Sequence, residues 1–465
     1  MTSFVGFERL DEIEYKTLRG EETRCHFCAN KCVRTFIDIK VGENTKRFIV
    51  ASCEKGEFLD RKELQRYLKE RRTLSEKYPN LVNYANLLAF NEPLEVDKIP
   101  IKKFPLPFNF RKRRKPEESV IGIPRVLNIY NLAPFFRAFF KALGFKKVIF
   151  SDYTDEDLYR RGGKRGSIDP CFPSKVAVAH VYNLLYEKDC DFIFFPCIRT
   201  LPPRIENAQG HWACPTVAAT PEVVKAAFTK ERNEFALKGK IYLNPVLDFD
   251  NIPLLKRELY ETLREHFEIS KKAVSLAVDI AFEKLNGFYK KLQQKGLEIL
   301  QQLEKEKKVG ILILSRPYHR DPGLHHGIPD ELHRLGYPIL TIESLPTDSD
   351  YLKRLFRNDW PSDPMDISPV WEKPYSENSS LKVWGALFAS KHPNLAVVDL
   401  SSFRCGHDAP IYSTVEEILE NSDTPYFTFH ELDENRPSGA IKIRVETIDY
   451  FLKRYEEEKL KRGMF

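Results

Sequence analysis

From Ser119 onward the chain alternates short apolar runs with longer stretches of helical period. Val120-Ile121-Gly122-Ile123-Pro124 is such a run, too short for a helix, and predicts a buried strand. The period through Leu132–Leu143 predicts a helix, which Gly144 ends, and Lys147–Ser151 predicts a second strand. Strand, helix, strand in that order implies a parallel sheet, because parallel neighbours need a crossover. A helix over about Ser174–Tyr186 and a strand over Asp191–Pro196 extend it. Residues 218–306 read as mostly helical, with a break near Asn244-Pro245. Then the pattern returns: strand Lys308–Leu314, helix Pro329–Leu335 closed by Gly336, and strands Pro338–Ile342, Asn394–Leu400 and Tyr426–His430. The fold class expected is α/β, with two Rossmann-like parallel-sheet domains joined by a helical segment.

The region before Ser119 differs. Val33–Ile39 and Arg47–Ala51 are strand-like, residues 61–100 are helical and charged, and residues 101–118 are rich in Pro and basic side chains. The apolar content of the first 60 residues is too small for a separate core, so a metal is the natural staple there. The boundaries expected are 1–65 for a four-cysteine metal-binding module, 66–118 for a helical linker, 119–217 for a first α/β domain, 218–307 for a helical connection and 308–465 for a second α/β domain.

Composition narrows the classes. The 465 residues are 42% hydrophobic and 30% charged, and 73 Lys and Arg against 67 Asp and Glu leave a formal net charge of +6. That balance is spread along the chain and makes no case for a nucleic-acid partner. The run Arg111-Lys112-Arg113-Arg114-Lys115 reads first as a solvated linker, with an address or a phosphate patch as the sharper alternative. No uninterrupted apolar stretch is long enough for a membrane helix, and no basic-then-apolar leader opens the chain, so the default expectation is cytoplasmic with no membrane partner. Nine cysteines in a chain of this length are too few for a disulfide scaffold, and a reducing compartment keeps them as thiols.

Eight of those cysteines form two groups. Cys25, Cys28, Cys32 and Cys53 put three sulfurs on one turn and bring the fourth from a neighbouring segment. A C-x2-C turn suits tetrahedral zinc or a corner of an iron–sulfur cluster, and a packed domain with buried thiols is the bland alternative. His26 lies inside that turn, either supporting a metal or merely exposed. The second group is Cys171, Cys197, Cys214 and Cys405, each in a short turn bearing Pro or Gly. Cys171 precedes a helix, where a thiolate is stabilised by the free N–H groups and the backbone dipole. Cys197 and Cys405 follow strands, and sites in open α/β sheets form outside the carboxyl ends of strands. Three cysteines would leave one iron of a cubane open, four would close it, and Cys197 separates the cases. Unrelated small core residues are the alternative. Cys190, in Lys188-Asp189-Cys190-Asp191, reads as structural.

Ile121-Gly122-Ile123-Pro124-Arg125, Cys171-Phe172-Pro173-Ser174-Lys175 and Cys214-Pro215 resemble the acyl-CoA dehydratase activase-related family, relatives of the iron–sulfur subunits of 2-hydroxyacyl-CoA dehydratases. So do Arg316-Pro317-Tyr318-His319, Asp321-Pro322, His326-Gly327-Ile328-Pro329, Ser402-Phe403-Arg404-Cys405-Gly406-His407-Asp408-Ala409, and Asp433-Glu434 with Gly439–Arg444. The resemblance runs from about residue 20 to 450. It implies a [4Fe-4S] or double-cubane cluster held by Cys171, Cys214 and Cys405, with Cys197 as a fourth candidate. A second cluster or zinc would sit at the N-terminal cysteines. It also implies low-potential electrons from a separate ATP-dependent activase, and an acyl-CoA or another small molecule as reactant. A metal-stapled adaptor that binds an activase or dehydratase without turnover is the alternative, and a homo-oligomer is left open.

Three departures qualify the resemblance. Such proteins are often fused to an ATPase domain, but these residues carry no Gly-rich phosphate loop of that kind, so ATP hydrolysis in cis is not expected. Arg404 stands where the family carries Gly, adding charge beside Cys405. The acidic segment reads His430-Glu431-Leu432-Asp433-Glu434 and lacks the family's basic residue. Arg316, Tyr318, His319 and the pair His325-His326 follow a strand end and are donor candidates for a thioester oxygen or a CoA phosphate, against a polar turn as the plainer reading. Asp408 is a candidate to orient His407 or a cluster-bound species, and Lys175 to tune cluster charge. Asp433 and Glu434 read first as a solvated turn. Without G-x-S-x-G or H-E-x-x-H, hydrolase readings have no support.

Overall fold

The computed structural model describes residues 13–27, 32–42, 44–51, 54–100, 113–163, 171–356, 363–402, 405–433 and 438–461. The chain divides into two compact units, residues 1–79 with 437–444 and residues 80–436 with 445–465.

The first unit is built on an antiparallel sheet of β1 (Ile13–Leu18), β2 (Thr35–Val41) and β3 (Asn44–Val50), in that order. β1 was missed in the sequence although Ile13 and Tyr15 alternate with Glu14 and Lys16 as strand positions do; the pattern is short and its residues are mostly exposed. Gly42, at φ +59°, supplies the left-handed turn after β2. The sheet contributes little core, with Tyr15 77% exposed and Phe36 among the few buried side chains. Polar ties do the holding instead: the buried Arg34 donates from Nε to the Thr23 carbonyl at 2.9 Å and from Nη1 to the carbonyls of Gly56 at 3.1 Å and Phe58 at 2.7 Å. The N–H of the buried Cys25 donates to the Cys32 carbonyl at 2.8 Å. Cys28 and Cys53 lie outside the described residues, so the four-cysteine module stays an expectation.

The second unit is α/β. One parallel sheet has the order β5 (Lys147–Phe150), β4 (Val120–Ile123), β6 (Phe192–Phe194), β8 (Ile241–Leu243). A second has the order β11 (Ile339–Thr341), β10 (Gly310–Leu314), β12 (Leu395–Ser402), β13 (Tyr426–Leu432), again all parallel. Counted along the chain, both sheets run 2-1-3-4, a doubly wound order whose switch point lies between strands 1 and 3. A parallel pair, β7 (Cys197–Thr200) with β9 (Val246–Asp248), stands beside them. β8 and β9 correct the helical reading of residues 218–306: each is three residues long and they flank Asn244-Pro245, so the break is a strand–turn–strand.

The core of the first sheet is aromatic. Phe135, Phe136 and Phe140 on the helix Ile129–Ala142 pack edge-on against Phe194 and Phe249 with centroids 5.0–6.0 Å apart, and Phe139 packs edge-on against Phe140 at 5.2 Å. The 36-residue helix Lys271–Glu306 ties the two sheet regions together. Near its start Phe282 meets Phe135 at 5.1 Å, and near its end Gly296 lies so close to the Ser344 carbonyl that a Cβ would come within 1.9 Å of it. Among the described residues no helix is long and apolar enough to cross a membrane.

Candidate functional site

The switch point of the second sheet is where polar groups collect. Arg316 follows β10 by two residues, and Cys405 and Asp408 follow β12. Asp399 and Ser401 lie on β12, and the helix Glu377–Lys391 places Ser376, Ser379 and Lys382 on one face by their three-residue spacing. Arg316, Lys382, Asp399 and Asp408 are all wholly buried.

These groups form one connected chain. His430 Nε2 stands 3.0 Å from Asp399 Oδ2, and Asp399 Oδ1 is 2.6 Å from Lys382 Nζ. Lys382 Nζ reaches Asp408 Oδ2 at 3.2 Å, and Asp408 Oδ1 accepts from Arg316 Nε at 2.9 Å. Ser401 donates to Asp408 Oδ2 at 2.7 Å, and Arg316 Nη2 donates to Ser379 Oγ at 2.9 Å. Two cations face two carboxylates, so each buried charge has an opposite neighbour. Burial alone would raise the Asp408 pKa, but Arg316 and Lys382 outweigh it and hold the carboxyl far below its usual range. Burial would likewise lower Lys382, and Asp399 with Asp408 raise it above an ordinary lysine. His430 stacks on Tyr412 at 3.9 Å.

Three of the cysteines come from distant stretches of the chain. Cys171 and Cys214 are each the N-cap of a fifteen-residue helix, Phe172–Tyr186 and Pro215–Thr229. Cys405 opens the turn after β12, where its carbonyl accepts the Asp408 N–H at 3.2 Å. Burial raises the Cys171 thiol, a hydrogen bond with Ser174 opposes this, and the charges of Cys214 and Cys405 raise it further. Burial and then Asp408 raise the Cys405 thiol, against the opposing pull of Arg316. Tyr318, 3% exposed, feels both Cys405 and Cys171. Cys214 and Cys405 thus both bear on Cys171. Among the described residues, however, no three His, Cys, Asp or Glu side chains stand close enough for a single metal ion.

Cys197 has other company. It is buried at the start of β7, and its thiol is pushed up to about 11, by burial first and then by Glu222, while Asn244 and Lys225 oppose. Cys190 packs under β4, with its sulfur 3.6 Å from the Leu184 carbonyl, as a core residue would. Among the donor candidates, His326 stacks on Phe172, next to Cys171, at 6.3 Å, and His325 Nδ1 accepts the Gly327 N–H at 3.0 Å. Asp408 gives its carboxylate to Arg316, Lys382 and Ser401, and His407 Nδ1 faces Ser376 Oγ at 3.3 Å. Arg404 and Glu434 lie outside the described residues.

Sequence reading missed Lys382, Asp399 and Ser401. A signal existed for Asp399: it is the one carboxylate within the apolar run Leu395-Ala396-Val397-Val398-Asp399-Leu400. It also missed a second buried chain. Ser151 Oγ stands 2.7 Å from His180 Nδ1, His180 Nε2 is 2.9 Å from Thr154 Oγ1, and Thr154 Oγ1 donates to Asp321 Oδ2 at 2.9 Å. Tyr130 donates to the same carboxylate oxygen at 2.6 Å. Burial raises Asp321 to about 6 despite those donors.

Residues 120–345 match the family described as the CoA enzyme activase uncharacterised domain (DUF2229). Over these residues the chain belongs to the activase-related family. The matched span takes in β4 to β11 with Cys171, Cys214, Arg316 and Asp321, and ends before Lys382, Asp399 and Cys405. None of the curated proteins compared matches this activase-related chain. Among solved structures, the C-terminal domain of glucosamine-fructose-6-phosphate aminotransferase from Francisella tularensis aligns over 73% of this chain and 86% of its own, at 9% identity and a TM-score of 0.18. A likeness so slight bears on neither fold nor function.

Proposed function

We propose that this activase-related chain is an iron–sulfur protein. Cys171, Cys214 and Cys405 would hold a cubane, with Cys197 a fourth candidate in a double-cubane or rearranged site. The observation that carries the reading is that Cys214 and Cys405, from remote segments, both bear on the Cys171 thiol and on the buried Arg316. The donor set fits the group: a cluster spreads its thiolates more widely than a single ion does, two of the three sulfurs stand at helix starts, and Arg316 offsets anionic charge. A bound cluster would supply one-electron chemistry. A separate ATP-dependent activase would deliver the electron, and an acyl-CoA or another small molecule would receive it. The N-terminal Cys25, Cys28, Cys32 and Cys53 would hold zinc or a second cluster as a folding staple.

Anaerobic quantification of iron, sulfide and zinc in the purified protein tests this. Cys171→Ser and Cys405→Ser should each lose most of the iron of this site, and Cys190→Ser should keep it. Equal loss in all three variants, or zinc alone with no sulfide, rejects the assignment. Iron without turnover when a competent reductase is supplied would favour the adaptor.

A further inference from the structure

Arg316 is wholly buried, yet only two of its three guanidinium nitrogens are used. Nε goes to Asp408 and Nη2 to Ser379, while Nη1 has no hydrogen-bond partner. Three residues on, His319 is 3% exposed and both of its ring nitrogens lack a partner as well. An unmet donor in an interior costs about 1–3 kcal/mol, and more on a charged group. A loose side chain would turn to relieve that cost. Arg316 is not loose: Asp408 is fixed by Ser401 and Lys382, and Lys382 by Asp399. The same ties seat it on the cysteine turn. The Asp408 N–H donates to the Cys405 carbonyl at 3.2 Å, and Ser379, which takes Nη2, donates to the His407 carbonyl at 3.0 Å.

We infer that Arg316 Nη1 and His319 form a binding site for a small carboxylate or a like oxyanion beside Cys405. Arg316, Lys382, Asp399 and Asp408 together sum to zero, so an arriving anion meets an oriented cation whose own chain of charges carries no net negative charge. The positive ends of the helices that start after Cys171 and Cys214 add to the attraction. Asp408 occupies the Nε side of the guanidinium and leaves Nη1 for the ligand. His319, kept neutral by burial, offers one N–H without a competing charge. The site goes beyond the iron–sulfur reading and does not need it, because all its donors belong to the chain.

Calorimetric titration with sodium acetate at constant ionic strength, with acetamide as the neutral control, tests the inference. The protein is used as purified and again after iron depletion, with iron measured separately. The expected result is saturable acetate binding and none for acetamide. Arg316→Met risks unfolding by stranding Asp408, so it is paired with Asp408→Asn, and this pair should weaken acetate at least tenfold. His319→Phe, which leaves the charges in place, should weaken it several-fold. Acetate binding in iron-free protein that never takes up iron would reject the cluster and keep this site. Binding in neither preparation, acetamide binding as well as acetate, or unchanged affinity in the paired variant overturns it.

Discussion

Beside the central strand β4, the helix Ile129–Ala142 presents Phe135, Phe136, Phe139 and Phe140, all wholly buried. Beside β10 and β12, the helix Glu377–Lys391 presents Ser379 and Lys382, equally buried, to Asp408 and Asp399. Both settings stand on the same 2-1-3-4 strand order. The topology therefore offers a crevice twice, and side chains alone decide which becomes polar. The aromatic region gains stability from burial and ring contacts. The charged region gains little on balance, since desolvating four ions consumes most of what their attraction returns. A costly arrangement next to three cysteines is best understood as preorganisation of Arg316.

The sharpest way to break this contrast is to remove one charge. Lys382→Met keeps the volume but leaves Asp399 and Asp408 with one fewer cation at zero exposure. It should cost about 3–5 kcal/mol in urea unfolding. Adding Asp399→Asn should return a good part of that. A single-variant loss below about 1 kcal/mol would mean that the four charges do not act as a unit.

The next test falls where the two regions meet. Ser151, Thr154 and His180 follow or pack under the first sheet, and Asp321 follows β10. The folded chain holds the Asp321 proton up to about 6, above an unfolded carboxyl, because burial disfavours the charge. The favourable term is thus complete below the unfolded pKa and disappears as pH rises through about 6. Wild type should lose its advantage over Asp321→Asn between pH 4 and 7, by at most about 1.4 kcal/mol per pH unit. Comparing the two proteins cancels the opposite trend from His180, which burial lowers to about 3. A constant difference across that range would show that Asp321 does not titrate there.

How far each region could be read beforehand follows from the same contrast. Every strand of the two parallel sheets except β8 was legible, because buried parallel strands are short unbroken apolar runs. β8 was hidden by its three-residue length in a helix-rich stretch. The cysteines and Arg316 were legible as motif residues. Lys382 was not, since one lysine in a helix ordinarily reads as a solvated face and only the tertiary fold buries it. The Ser151–His180–Thr154–Asp321 chain was invisible for another reason: its members come from separate elements with no fixed spacing.

The smallest expected effect sharpens the aromatic side and bears on Cys190. Gly122 sits in the middle of β4, paired to Ile149 on one side and Ile193 on the other. A Cβ there would lie 2.9 Å from Cys190 Sγ and 3.1 Å from Leu184 Cδ2. Gly122 is thus required by the close approach of the residues beneath the strand. Gly122→Ala should cost about 1–3 kcal/mol by overpacking. Cys190→Ala in the same chain removes the nearest atom and should recover much of the loss in thermal or urea unfolding. Recovery would assign Cys190 to packing by a route that needs no metal analysis. If the double variant is no better than Gly122→Ala alone, the clash lies with Leu184, and Leu184→Ala rather than Cys190→Ala would be the substitution that relieves it.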